Sequence, residues 1–232
     1  MMKIGILLSG CGVYDGSEIQ ETVLTMLAIE EIGAEYVCIG VDLDQFHAIN
    51  HLTGEEMPEK RNMLVEAARI ARGNILNIKE VQPVDIDALV IPGGFGNAKN
   101  LTKWAFSGSE GLIIPEVKLL LVNLVNIGKP IVALCVSPVV LAKALEGSSL
   151  QVKMTLGTST ENSPYDISSF ISEISKVGVK CSEKTVREIE IDEVNRIITA
   201  PCYMMEASIL EVRKNIQSAM EALKEMLYDV NT

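Results

Sequence analysis

The segment from residue 128 to residue 142 constrains the fold most strongly, because it joins a buried strand, a turn and a helix start. The apolar run Ile131–Leu134 leads directly to Cys135, and Pro138 opens a second apolar run with helical spacing. Proline is tolerated at the first helical position, where its missing N–H group would have no partner anyway. The N–H groups of a helix start favour negative charge, and therefore a thiolate at Cys135.

This pattern predicts a nucleophile elbow with cysteine in the place usually taken by serine. The match is loose, because Ala133 stands where the first glycine of the motif would be. A buried structural cysteine is the alternative interpretation, since free cysteines are commonly buried.

The start of the chain alternates strand and helix patterns. Lys3–Ser9 is predicted to be a strand buried on both faces, Ser17–Ile32 a helix that Gly33 ends, and Tyr36–Val41 a second strand. Such a βαβ beginning predicts an α/β fold with a mostly parallel sheet.

The remaining chain continues this pattern after one interruption. We expect a single domain over residues 1–232, with an inserted segment at about 43–80 that helps to roof the active site. The later elements are predicted as strands at Asp87–Ile91 and Val152–Leu156, helices at Val117–Asn126, Asp166–Lys176 and Ala207–Leu227, and a hairpin of Val186–Ile191 with Arg196–Thr199.

Composition excludes several classes of partner. The formal net charge of −11 disfavours nucleic acid and anionic membranes. No apolar run approaches the roughly 20 residues that span a bilayer. Leu8–Cys11 resembles a lipoprotein cleavage box, but Ile4–Leu8 is shorter than the about 7 apolar residues that a signal requires.

Five cysteines are spread through the chain without CxxC spacing, so neither a metal site nor a disulfide framework is predicted. A reducing cytoplasm is therefore the expected location.

Polar and glycine-rich loops follow four of the predicted strands, at the edge where ligands bind in open α/β sheets. Near Cys135 we expect Glu18 to lie as an uncharged acid that donates a hydrogen bond to the thiolate and shuttles a proton. The N–H groups of Gly94 and Val136 would form an oxyanion pocket. Other expected contributors to the site are Gly93, His51 and Tyr203.

Each of these assignments has an alternative. Glu18 could be an ordinary acid at a helix N-terminus, and His51 a structural histidine. The spacing Gly10-x-Gly12-x-x-x-Gly16 invites a dinucleotide site with Asp42 on the ribose, but it departs from GxGxxG. No histidine follows Cys135, which excludes a glutaminase triad with histidine near the end of the chain.

Five segments together resemble the ElbB family, also called enhancing lycopene biosynthesis protein or sigma cross-reacting protein 27A. The resemblance extends in order over nearly the whole chain. It is carried by Ser9–Glu21, Ile49–Glu55, Arg61–Gly73, Pro92–Leu101 and Thr199–Met204. That family belongs to the PfpI-like superfamily, which implies a class I glutamine amidotransferase-like fold: a flavodoxin-like three-layer sandwich with helices on both faces of the sheet.

The resemblance also implies an activity. It predicts a glyoxalase of the third type, which converts glyoxal or a similar small 2-oxoaldehyde to a hydroxy acid without a cofactor, through a cysteine hemithioacetal. Cys135 matches the elbow cysteine and Glu18 the acid partner, and a homodimer is expected. Relatives often carry a histidine shortly after the elbow. Here Thr155, Thr158 and Ser159 follow instead, which predicts weak catalysis.

A non-enzymatic role is the competing hypothesis. An exposed thiol of low pKa suits a redox sensor as well as a catalyst. The protein could also be an accessory binding partner in envelope or isoprenoid metabolism.

Overall fold

The computed structural model describes residues 2–228 and contains a seven-stranded central sheet. Its strand order is β10-β11-β7-β6-β1-β2-β5, with every neighbouring pair parallel except β10 and β11. The strands are β1 (Lys3–Leu8), β2 (Glu35–Gly40), β3 (Ala48–Ile49), β4 (Glu56–Met57), β5 (Ile75–Asn77), β6 (Ala88–Ile91), β7 (Ile131–Leu134), β8 (Val152–Met154), β9 (Val179–Cys181), β10 (Glu190–Asp192) and β11 (Ile197–Ala200).

Helices cover both faces of this sheet. They are α1 (Ile19–Glu31), α2 (Met63–Ile70), α3 (Trp104–Ser107), α4 (Pro115–Asn126), α5 (Pro138–Leu145), α6 (Ile167–Lys176) and α7 (Ile209–Tyr228), with a π-helical turn at Asn97–Leu101. Helix α1 packs between α2 and α7, whereas α4 packs against α5. The predicted flavodoxin-like sandwich is thus confirmed.

The core of the sheet consists of aliphatic side chains that are almost completely buried. Every residue of β6, β7 and β11 is buried, as expected for parallel strands covered on both faces. All eight residues of α5 are buried as well. The strand and helix that flank Cys135 are therefore anchored on all sides, which gives the turn between them a rigid support.

The segment 43–80 leaves the sheet after β2 and returns to it. It forms the small hairpin of β3 and β4 and then helix α2, and β5 pairs with β2 at the edge of the central sheet. This last strand was not predicted, because three residues are too few for a clear pattern. The predicted single domain also covers residues 1 and 229–232, which lie outside the described residues.

The longest described helix, α7, carries charged side chains along its length. Within residues 2–228, none of the helices combines the length and the apolar character needed to cross a membrane.

Candidate active site at the Cys135 elbow

Cys135 occupies the turn between β7 and α5 with a backbone φ of +56°. This left-handed conformation costs a non-glycine residue about 1–2 kcal/mol. Such strain is typical of functional sites and persists only where the surroundings impose it. Here the Cys135 N–H donates to the Ala200 carbonyl at 2.9 Å, and the Ser137 N–H donates to the Leu134 carbonyl at 2.9 Å.

Backbone N–H groups surround the Cys135 sulfur, as the elbow pattern predicts. The N–H groups of Gly94 and Val136 are both directed at it. Helix α5 has no side-chain cap, and the N–H groups of Ser137, Val139 and Val140 donate to backbone carbonyls three residues earlier. The Val136 N–H is the group at this helix start that faces the sulfur. Val136 in the turn and Gly94 in the loop after β6 therefore each present an N–H group to the nucleophile.

The carboxyl group beside Cys135 belongs to Glu21, not to Glu18. Glu21 is completely buried, and its side chain is in hydrogen-bonding contact with Cys135. Its Oε2 accepts from the Gly93 N–H at 2.8 Å, and its Oε1 accepts from the Tyr203 N–H at 3.2 Å. Glu21 thus links three sheet-edge loops at the point where the sulfur lies.

The prediction that Glu18 is the acid in contact with Cys135 is wrong. Glu18 is the N-cap of α1, and its carboxylate accepts from the Glu21 N–H at 2.6 Å. A capping side chain folds back onto its own helix and cannot also reach across to a neighbouring loop. Glu21 lies three residues further on, within the first turn, where the side chain points into the sheet edge.

Burial controls the protonation of this pair. Burial, followed by the neighbouring Glu18 charge, raises the pKa of Glu21 to about 8. Burial and then the charge of Glu21 raise the pKa of Cys135 well above its ordinary value, while the Gly94 and Val136 N–H groups act in the opposite direction. Both pKa values are raised mainly by desolvation, which acts against the helix-start N–H groups and favours the uncharged forms over the expected resting thiolate.

Gly93 lies against both members of the pair, and any side chain there would overlap both. A Cβ atom built at Gly93 would collide with Glu21 Oε2 and the Cys135 Cβ, whereas one built at Gly128 would meet nothing within 4 Å. Gly128 has a φ of +70°, so alanine there brings only the left-handed strain of about 1–2 kcal/mol.

We therefore expect Gly93→Ala to lower the free energy of unfolding by about 3 kcal/mol or more, through overpacking of a site that cannot expand. Gly128→Ala should lower it by only about 1–2 kcal/mol, the left-handed strain alone. Urea denaturation of both variants at one pH measures the difference, and equal losses would contradict the close approach at Gly93.

A buried network of polar side chains holds the segments next to the Cys135 turn together. The Asn97 Nδ2 group donates to the Ser137 Oγ at 2.8 Å and to the Pro92 carbonyl at 2.5 Å, and the Ser9 hydroxyl donates to Asn97 Oδ1 at 2.6 Å. The Ser137 hydroxyl also donates to the Pro92 carbonyl at 2.5 Å. These bonds connect the residue that follows β1, the Gly93 loop and the N-cap residue of α5. Asn97 lies in the π-helical turn, a feature frequent at functional sites.

Two aromatic residues near the sulfur were not anticipated from the sequence. Burial, then the charged forms of Cys135 and Glu21, raise the pKa of Tyr165 to about 12, so this phenol is electrostatically coupled to the pair. The Tyr165 ring packs against Phe95 at a centroid distance of 5.1 Å. Nothing local marks Tyr165, because it lies in an irregular segment thirty residues after Cys135 in the sequence.

The structure assigns different surroundings to the other predicted residues. His51 stands over the first loop: its Nε2 accepts from the Tyr14 N–H at 3.2 Å and lies 3.8 Å from Asp15 Oδ1. Tyr203 contributes its backbone N–H to Glu21, while its hydroxyl donates to Gln20. His51 therefore packs over the first loop, and Tyr203 contacts the site through its backbone N–H group.

The first loop has no room for a dinucleotide. Cβ atoms built at Gly10 and Gly12 would meet the side chains of Gln45 and His51, so the inserted segment already fills the space above these glycines. Asp42, the candidate ribose ligand, instead accepts from the Asn62 side chain at 2.7 Å.

Comparisons with known proteins place this geometry in a family. The family model described as DJ-1/PfpI family matches residues 11–186. The ES1 protein homolog of Rattus norvegicus is 34% identical over 97% of this chain and 84% of its own length. The human glutamine amidotransferase-like class 1 domain-containing protein 3 is also 34% identical, over 97% of this chain and 83% of its own length.

Solved structures agree with these matches. An isoprenoid biosynthesis protein with an amidotransferase-like domain from Ehrlichia chaffeensis superimposes with a TM-score of 0.86 and 33% identity, covering 97% of this chain and 99% of that one. Drosophila melanogaster DJ-1beta superimposes with a TM-score of 0.54 at 16% identity, covering 99% and 96% of the two chains, and shares the fold.

The expectation of a cytoplasmic location is contradicted by the curated relatives, since the rat, human and Danio rerio proteins are all named as mitochondrial. The family model over residues 11–186 and the amidotransferase-like structure lead to the same conclusion. The chain belongs to the DJ-1/PfpI family.

Proposed function

We propose that this protein is a cofactor-free glyoxalase of the third type, acting on glyoxal or a similar small 2-oxoaldehyde with Cys135 as nucleophile and Glu21 as proton shuttle. One observation carries the proposal: the Cys135 sulfur lies in contact with a buried carboxyl group whose pKa is about 8, and two backbone N–H groups face it. General acid–base catalysis is most efficient when the catalytic pKa is near the working pH.

The first step is addition of the thiol to one aldehyde carbon. A carbon–sulfur bond forms, the thiol proton passes to the Glu21 carboxylate, and the carbonyl oxygen becomes an oxyanion beside the Gly94 and Val136 N–H groups. Glu21 then returns the proton to that oxygen, which gives the hemithioacetal. Each N–H donor directed at a developing oxyanion typically lowers the activation barrier by about 3–4 kcal/mol.

The second step moves hydrogen between the two carbons. Glu21 removes the proton from the sulfur-bearing carbon to form an enediol, and the adjacent carbon is protonated to give a hydroxyacyl thioester. Water then cleaves the carbon–sulfur bond, which releases the hydroxy acid and the thiol. The sum is one glyoxal and one water giving one glycolic acid, so neither an external oxidant nor a reductant is required.

The site is suited to a slim electrophile and modest turnover. Only 6% of the Cys135 residue is exposed, so an aldehyde end can reach the sulfur more readily than a bulky group. The raised pKa of Cys135 leaves little thiolate at neutral pH, which slows attack. The same property disfavours the redox-sensor alternative, which requires a low pKa and an accessible sulfur.

We also assign the chain to the ElbB type within its family. The segments quoted above support this, and so does the name of the Ehrlichia structure, isoprenoid biosynthesis protein with amidotransferase-like domain. A homodimer is part of the proposal. It is supported by Ile19, Val23 and Leu27, apolar residues at four-residue spacing that α1 exposes to solvent.

Turnover of glyoxal in deuterium oxide tests the reaction. An enediol intermediate exchanges its proton with solvent, so glycolate formed in deuterium oxide should carry about one deuterium at C2 by mass spectrometry. A direct hydride shift between the carbons would leave C2 unlabelled and contradict the role of Glu21, and a complete lack of glycolate would contradict the glyoxalase proposal itself.

A further inference from the structure

His51 is held over the first glycine-rich loop by two hydrogen bonds that specify one protonation state. Its Nδ1 lies 3.0 Å from the Ile49 carbonyl oxygen, which can only accept, and its Nε2 lies 3.2 Å from the Tyr14 N–H group, which can only donate. Both bonds are made together only by a neutral ring with its proton on Nδ1. A doubly protonated ring has to give up the bond to Tyr14, because its Nε2 then carries a proton.

An unused acceptor lies next to this bond. Asp15 is only 1% exposed, and its Oδ2 accepts from the Ile49 N–H at 2.7 Å. Within residues 2–228, nothing donates a hydrogen bond to its Oδ1, which lies 3.8 Å from His51 Nε2. A buried carboxylate oxygen without a donor is costly. The ring therefore has two alternative partners, the Tyr14 N–H when it is neutral and Asp15 Oδ1 when it is protonated.

Asp15 is also the charged group that acts most directly on the imidazole. Among the described residues it is the one acid that comes to ion-pair distance of His51, while the Tyr14 ring packs against the imidazole at a centroid distance of 4.8 Å. Other charged or titratable groups surround Asp15 from the neighbouring elements: Lys99 of the π-helical turn, Arg61 and Glu56 of the inserted segment, and Cys11 of the first loop. Lys99 donates to the Tyr14 carbonyl at 2.7 Å and so holds the other side of that residue.

One peptide group joins His51 to the loop that carries an oxyanion donor. The peptide group Val13–Tyr14 donates its N–H to His51, and its carbonyl accepts from the Phe95 N–H at 2.7 Å. Phe95 directly follows Gly94, whose N–H group faces the Cys135 sulfur. Hydrogen bonds in such a chain polarise one another, so loss of the first bond weakens the next.

The loop around Gly94 also moves with the first loop, because their backbones are in contact. The Gly93 carbonyl accepts from the Glu18 N–H at 2.8 Å. The Gly96 N–H donates to the Gly16 carbonyl at 3.0 Å. A Cβ atom built at Gly94 would lie 2.3 Å from that same Gly16 carbonyl oxygen. A displacement of the first loop is therefore passed on to the Gly94 N–H group.

We propose that His51 is a positioning residue for the Gly94 oxyanion donor, and that protonation of its ring, which transfers its Nε2 from Tyr14 to Asp15, withdraws that donor from the site. Histidine ordinarily titrates between pH 5 and 8, so the neutral ring and the positioned donor belong to the upper part of this range. The inference rests on the proposed function only for its effect on turnover. Movement of the peptide group is a property of the protein without substrate.

The amide signals of Tyr14 and Phe95 follow this peptide group directly. The chain has five tyrosines and four phenylalanines, so protein labelled with nitrogen-15 in these two residue types gives few NMR signals, and single substitutions assign them. Between pH 5 and 8 both signals should shift with a common midpoint, because one protonation event breaks the bond to Tyr14 and disturbs the bond from Phe95.

His51→Gln tests whether the ring causes this shift, because glutamine offers an acceptor oxygen but takes up no proton. The common shift should vanish in His51→Gln and persist in His47→Gln. His47 is the matched control, since it is the other histidine of the chain and lies 3.7 Å from Glu56 instead. A group that titrates elsewhere would move the signals equally in both variants. The proposal is overturned if the Tyr14 signal keeps its full shift in His51→Gln, or if the Phe95 signal does not follow it.

Turnover of glyoxal then measures the effect on the reaction. An oxyanion donor acts in the transition state, so His51→Leu, which lacks an acceptor, should lower kcat at pH 8 about tenfold with KM changed less than about twofold. His51→Gln should restore most of this loss and keep the limb assigned to Glu21, but its kcat should fall about threefold less than that of the wild type between pH 8 and pH 5. Equal kcat in His51→Leu and the wild type would refute the positioning role. If the wild type does not turn over glyoxal while the two amide signals still shift together, the glyoxalase proposal fails and the coupling stands.

Discussion

Cys135→Ala is expected to reduce glycolate formation from glyoxal at least about 10³-fold, to the rate of the uncatalysed reaction. The proposed pathway begins with a carbon–sulfur bond to this residue, and neighbouring groups cannot replace a covalent nucleophile. Alanine also retains the backbone strain at φ +56° that cysteine already bears, so the turn should keep its shape. Glycolate measured by mass spectrometry over a range of enzyme concentrations provides the test.

Cys181→Ser is the matched control, because Cys181 is a free, half-buried cysteine in β9, away from the elbow. It should retain turnover within about twofold. Circular dichroism and the thermal midpoint of Cys135→Ala should confirm that the fold survives. Turnover by a folded Cys135→Ala protein at more than a tenth of the wild-type rate would remove Cys135 from the mechanism.

Glu21→Gln should lower kcat by about 10²–10⁴-fold, the usual contribution of general acid–base catalysis. Glutamine keeps the size of the side chain and one acceptor oxygen but cannot carry a proton between sulfur, oxygen and carbon. In the wild type the pair reacts when it holds one proton, so kcat/KM should rise as the pH approaches 8, the pKa of Glu21. That limb of the pH profile should vanish in Glu21→Gln.

Stability gives a second readout of the same proton. The pKa of Glu21 is raised from 4.5 to about 8 on folding, so between these values the folded protein holds a proton that the unfolded chain has lost. The free energy of unfolding should therefore fall as the pH rises from about 5 to 8, by at most about 1.4 kcal/mol per pH unit from this group. Glu21→Gln should lack this component of the slope.

Glu18→Gln is the control that distinguishes the two carboxyl groups. Glu18 caps α1 and lies outside direct contact with the sulfur, so its replacement should change kcat less than tenfold and leave the limb near pH 8 in place, slightly shifted by loss of its charge. If Glu18→Gln loses activity as severely as Glu21→Gln, the assignment of the proton shuttle to Glu21 is wrong.

The difference between these two residues marks a limit of sequence reasoning. Glu18 and Glu21 lie three residues apart in the same helical pattern, and both are acids near a helix start. Only the position of the N-cap decides which carboxylate is used by the helix and which is buried against the Gly93 loop. A cap can shift by a residue or two without changing the sequence pattern, so this choice was beyond local analysis.

Long-range contacts set a second limit. Phe95 and Tyr165 are 70 positions apart in the numbering and meet beside Cys135 because two loops fold over the same sheet edge. A cavity lined by Trp104 and Phe170 has the same origin. No local periodicity predicts such contacts, since they depend on how helices pack rather than on which segments are helical.

The sequence by itself determined the α/β class, the buried strand Ile131–Leu134, the helix that starts at Pro138 and the cysteine between them, because these follow from apolar runs, proline geometry and chain alternation. Only the tertiary structure decided which acid meets the sulfur and whether that sulfur is charged. The reason is physical: both depend on burial, and burial is a property of packed elements that no single segment possesses.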